Sequence, residues 1–125
     1  LNSCLIYAWH NIFYLLIAYG TSTINANNCT IYTNDPTTRP RGVTASSSGA
    51  AINIKNCIIQ DSSGIGGLFD WYSSGVNTIS YSCVHGYPAQ SGTGVINTDP
   101  LMVDPANLNF KLRPASPCIG TGTMI

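Results

Sequence analysis

The sequence predicts an all-β solenoid, a chain that winds through stacked coils of short strands. Three observations predict it. A cysteine-centred repeat recurs about every 26 residues. Apolar and polar residues alternate ahead of the second, third and fourth repeats. The composition is poor in charge and rich in turn formers. Charged residues make up 8% of the 125, against about 25% in a typical domain. The length allows one domain. Net charge is zero, so nothing attracts nucleic acid or an anionic membrane surface. Polarity comes instead from Ser, Thr, Gly and twelve Asn, types that suit turns and strands better than helices.

Taken in order, the first apolar run is residues 5–19. It is shorter than the ~20 residues of a spanning helix, and His10-Asn11 interrupts it. It reads as buried strands, with no membrane span expected. Leu1 at the start and an end without turn signals suggest a segment of a longer protein, with residues 95–125 as its terminal coil and tail.

The repeat then shows itself. Asn2-Ser3-Cys4-Leu5-Ile6-Tyr7, Asn27-Asn28-Cys29-Thr30-Ile31-Tyr32, Lys55-Asn56-Cys57-Ile58-Ile59-Gln60 and Tyr81-Ser82-Cys83-Val84-His85-Gly86 align on cysteines 25, 28 and 26 residues apart. Before Cys57, Ile52 and Ile54 share one strand face by the two-residue period. Cys57 and Ile59 share a face in the opposite parity. Both pairs can point inward only if one residue between them bends the chain. Asn56 holds that place, as does Asn28 before Cys29, and Asn adopts left-handed backbone with little strain. Ser3 and Ser82 fill it in the other two units. Variable loops follow at 34–42, 61–67 and 87–94. A third strand per coil is expected at 43–47, 68–73 and 95–98. Units of this size cannot bury an apolar face alone, so they stack. Stacking lines up Cys4, Cys29, Cys57 and Cys83 as a ladder of buried thiols, each a small hydrophobe. Their spacing fits no zinc motif. Cys118 is expected to be buried as well. No metal site and no cofactor are read from the sequence.

The repeat resembles the right-handed parallel β-helix superfamily of pectate-lyase-like proteins. The tail carries the sharper likeness. Ile96-Asn97-Thr98-Asp99-Pro100-Leu101-Met102-Val103-Asp104-Pro105, then Asn109-Phe110-Lys111-Leu112-Arg113-Pro114 and Ser116-Pro117-Cys118-Ile119-Gly120, is similar to the final coils of secreted bacterial β-helix repeat proteins. Met102 stands where that pattern often has Phe, and Gly120 where it often has Asp. The resemblance implies a β-helix of about four to five coils, secreted or on a bacterial cell surface. It does not imply one activity, since the superfamily holds polysaccharide lyases, hydrolases and non-catalytic surface proteins.

Few residues suggest chemistry. Asp70-Trp71-Tyr72 is the candidate carbohydrate surface, since aromatic faces stack on sugars and Asp70 can bond hydroxyls. Trp9, Tyr14 and Tyr19 can extend it. A glycosidase needs two carboxylates at a set separation. Asp99 and Asp104 belong instead to Asp-Pro turns, where Asp bonds backbone. His10 and His85 lack a carboxylate partner in their own segments, Lys55 reads as solvated, and no catalytic residue is assigned. The leading expectation is a structural and binding segment with polysaccharide as partner. The alternatives are a fragment of a polysaccharide lyase or glycoside hydrolase, and a protein that self-assembles by end-to-end stacking of coils.

Overall fold

The computed structural model describes residues 1–8, 15–34, 43–62, 74–86 and 89–124. These are strands with almost no helix. In chain order they are β1 (Leu5–Ala8), β2 (Leu16–Ala18), β3 (Thr23–Asn27), β4 (Thr30–Thr33), β5 (Val43–Ala45), β6 (Ala51–Lys55), β7 (Ile58–Asp61), β8 (Val76–Ser80), β9 (Cys83–His85), β10 (Met102–Asp104) and β11 (Asn109–Leu112).

Strands one repeat apart pair in parallel. The first sheet runs β1-β4-β7-β9, the second β3-β6-β8, and the third β2-β5. The chain therefore visits first, third and second sheets in rotation, an arrangement compatible with a β-helix-like solenoid. Register aligns like with like. Ala26, Ile54 and Ile79 are partners across the second sheet, and Ile31, Ile59 and Val84 across the first. Leu16 pairs with Val43 and Ala18 with Ala45 in the third. These residues join one apolar cluster. The period-two pattern puts them inward. Burying each such Ile stabilises by roughly 1.5–3 kcal/mol. Gly75 sits where the coils come closest. A Cβ there would lie 2.5 Å from the Ala45 carbonyl oxygen and 2.6 Å from the Ala45 Cβ.

The bends from second to first sheet follow the expected chemistry in three units and shift in the fourth. Ser3, Asn28 and Asn56 have φ of 53°, 54° and 54°. In the last unit the left-handed residue is Tyr81, at 47°, and not Ser82. The pairing confirms the slip. Lys55 pairs with Ser80 and Ile58 with Cys83, which sets Cys57 opposite Ser82. Cys83 thus leaves the expected ladder, whose rungs are Cys4, Cys29, Cys57 and Ser82.

Other expectations need adjustment. β1 and β2 form within residues 5–19, but Leu5 is 50% and Tyr7 45% exposed. β1 is an edge strand of its sheet, so its outward side chains have little above them. No helix among the described residues is long and apolar enough to cross a membrane. The third strand appears as β5. The one expected at 68–73 lies outside the described residues. That at 95–98 is reduced to a single bridge between Ile96 and Cys83. Ile96 joins the first sheet, giving its N–H to the Ser82 carbonyl and taking that of Val84. Asn97 stops it from extending, because its side-chain amide exchanges two hydrogen bonds with the Gln90 backbone, at 2.7 and 2.8 Å.

The tail then turns antiparallel. β10 and β11 form a hairpin around a 3₁₀ turn at Pro105–Asn107. Phe110 lies edge-on to Tyr32 at 5.4 Å between ring centroids and tilted against Tyr7 at 6.4 Å. Tyr7 and Tyr32 are outward partners on the first sheet, so the hairpin covers that sheet's outer face. Tyr32 is consequently buried.

Candidate functional site

Three regions have the residue types for chemistry: the thiol ladder, the space beneath the tail, and the bare face of the second sheet.

The ladder is a hydrogen-bonding device. The side chain after each left-handed bend donates back to the carbonyl two residues earlier. Cys4 reaches Asn2 at 3.4 Å, Cys29 reaches Asn27 at 3.2 Å, Cys57 reaches Lys55 at 3.2 Å, and Ser82 reaches Ser80 at 2.8 Å. The carbonyls of Asn27, Lys55 and Ser80 also accept the N–H of the bend residue in the preceding coil, at 2.9, 3.1 and 3.3 Å, so the thiol or hydroxyl adds a second bond where the chain turns. Two of these groups also accept from the coil before. The Cys29 N–H donates to Cys57 Sγ at 3.4 Å, and the Cys57 N–H to Ser82 Oγ at 3.0 Å. Cys29 and Cys57 are buried free thiols, whereas Cys4 is half-buried. Burial pushes the Cys57 thiol up to about 11, with the Cys29 thiol adding to the rise.

Beneath the tail, Cys83 meets Cys118. Both line a cavity of about 100 Å³ with Tyr81, Thr121 and Gly122. Cys118 is half-buried, not fully buried as expected. Burial, followed by the hydrogen bond and charge of Cys118, pushes the Cys83 thiol up to about 12. Asn56 holds the tail here. Its Nδ2 donates to the Thr123 carbonyl at 2.5 Å and its Oδ1 accepts the Thr123 N–H at 2.9 Å. Both raised thiols keep their protons better folded than unfolded. Their contribution to stability is complete below about pH 9, the ordinary thiol value, and is lost as pH rises toward 12. The melting temperature should hold up to about pH 9 and fall above it. A Cys57→Ser/Cys83→Ser double variant should flatten that fall, and an equally steep fall in the variant would refute the assignment.

A larger cavity of about 310 Å³ lies between Gln60 and the hairpin, with Asp99, Asp104 and Arg113 in its wall. Those charges hold the tail's own shape. Asp99 Oδ1 accepts the Leu101 N–H at 2.8 Å, the expected Asp-Pro turn bond, and Asp104 Oδ2 accepts from Asn107 Nδ2 at 2.8 Å. Arg113 donates to the Met102 and Val103 carbonyls. Their side chains are thus committed to the hairpin.

The outer face of the second sheet carries no covering segment among the described residues. Thr23, Asn25, Asn53, Val76 and Thr78 are exposed. Asn25, Asn53 and Thr78 form one in-register column, about 4.8 Å per step. Asn53 Nδ2 donates to Asn25 Oδ1 at 2.9 Å. Its one charge, Lys55, is half-buried, not solvated, with its ammonium 6.0 Å from the Tyr81 ring centroid. A flat array of amides and hydroxyls with a single ammonium at one end suits a hydroxyl-rich ligand.

Asp70, Trp71 and Tyr72 lie outside the described residues, as do Trp9, His10 and Tyr14; Tyr19 is exposed. His85 is half-buried, and its Nδ1 has no hydrogen-bond partner among the described residues. Sequence reasoning missed the Asn25-Asn53-Thr78 column, although the alternation of β3, β6 and β8 already placed these residues outward. It also missed the meeting of Cys83 with Cys118, which depends on the register slip. No group of three or more potential metal ligands occurs among the described residues. In comparisons with known proteins, no family model, curated protein or solved structure matches the chain.

Proposed function

We propose that the chain is a run of coils of a right-handed parallel β-helix of the pectate-lyase-like kind, serving as a structural and carbohydrate-binding segment outside the cell. The right-handed sense follows the general rule for parallel crossovers. The observation that carries the binding role is the exposed Asn25-Asn53-Thr78 column on the second sheet. Amide and hydroxyl groups repeat there at strand spacing, so a glycan lying across the strands meets the same chemistry at each step. Such a face offers many weak hydrogen bonds and a single charge, Lys55, at one end, so hydroxyl recognition dominates and neutral polysaccharides are favoured.

Affinity electrophoresis through gels holding a soluble β-glucan, an arabinoxylan or polygalacturonate tests this. The full chain should be retarded by at least one neutral polysaccharide. Loss of two ligand hydrogen bonds in Asn25→Ala/Asn53→Ala should weaken that binding about tenfold, with an unchanged circular dichroism spectrum. No retardation in either neutral gel, or equal retardation of the variant, would overturn the reading.

A further inference from the structure

We propose that Cys83 and Cys118 form an intramolecular disulfide that fastens the tail across the outer face of the first sheet, by exchange with a low-molecular-weight disulfide such as oxidised glutathione. The slip at Tyr81 is the origin of the site. It places Cys83 opposite Ile58, the outward position, instead of opposite the inward Cys57. There the Cys83 thiol donates to the Thr98 carbonyl at 3.4 Å and lines one small cavity together with Cys118.

The other buried thiols hold the bends of the ladder. Cys29 and Cys57 donate within the ladder, and Cys57 also accepts from the preceding coil. The tail is held in place on both sides of Cys118. Its N–H donates to Ser116 Oγ at 3.2 Å, and its carbonyl accepts from Thr121 Oγ1 at 3.0 Å. Ser116 is itself buried and bonded to the Pro100 carbonyl. Little ordering is left for bond formation to impose.

The steps balance. Cys118, the more exposed thiol, loses its proton and attacks one sulfur of the small disulfide, releasing one thiolate. Cys83 then loses its proton and attacks the Cys118 sulfur of the mixed disulfide, releasing the second. Two protein thiols are oxidised, one external disulfide is reduced to two thiols, and the two protons end on those thiols.

The test is incubation of the full chain in a graded glutathione redox buffer, followed by alkylation and peptide mapping by mass spectrometry. The expected product lacks two hydrogens and yields a cross-linked Cys83–Cys118 peptide, with Cys29 and Cys57 left free. Closing this long loop should raise the melting temperature by about 10 °C. Cys118→Ala should lose both the cross-link and the rise while keeping its far-ultraviolet spectrum. A Cys29–Cys57 or Cys57–Cys118 cross-link would overturn the proposal. So would full alkylation of Cys83 and Cys118 in the oxidised sample. Neither result bears on the glycan-binding face, which lies on another sheet.

Discussion

Ile59→Ala should lower the unfolding free energy by about 4 kcal/mol, among the larger costs of deleting core methyl groups. Ile59 is fully buried and sits between its partners Ile31 and Val84 in adjacent coils. The cavity left behind opens on both neighbours, and the stack cannot close it without breaking the strand hydrogen bonds. Its chain neighbour Ile58 faces outward and is half-buried, so Ile58→Ala should cost only about 1 kcal/mol. Urea denaturation of the two variants measures the contrast. Equal losses would mean that the parity of β7 is wrong.

Asn56→Val should cost about 3 kcal/mol. A β-branched residue at φ 54° pays roughly 1–2 kcal/mol in backbone strain. The two hydrogen bonds from the Asn56 amide to Thr123 add about 1 kcal/mol each. Asn56→Gly separates the two effects, because glycine takes the same φ freely and loses only the tail bonds. Its loss should be about 2 kcal/mol. Asn28→Val probes the backbone part by itself, at the matching bend. If Asn56→Gly proved as stable as the parent chain, the tail contact would carry no weight.

The parallel stacking was legible because cysteine marks three of the four rungs and Asn marks two of the bends. Asn takes the left-handed backbone of the bend with little strain, and the thiol bonds backbone groups beside it. The fourth rung was illegible by letter matching. Ser82 replaces a thiol with a hydroxyl that makes the same bonds, while the adjacent Cys83 offers the expected letter one place too late. Counting from the inward strand residue would have found it. Ala26 to Cys29, Ile54 to Cys57 and Ile79 to Ser82 are each three positions apart. The tail hairpin was hidden because its contacts, such as Phe110 on Tyr32, join segments far apart in sequence without any shared period. The Asn25-Asn53-Thr78 column was visible as alternation but was passed over in favour of aromatic residues.

Nuclear Overhauser contacts between backbone protons of neighbouring strands test the central arrangement most directly. The expected result is a parallel-strand pattern joining Ile31 to Ile59 and Ile59 to Val84, with Cys57 adjacent to Ser82. Contacts that set Cys57 opposite Cys83, or that tie Ile31 to a segment other than 58–61, would contradict it.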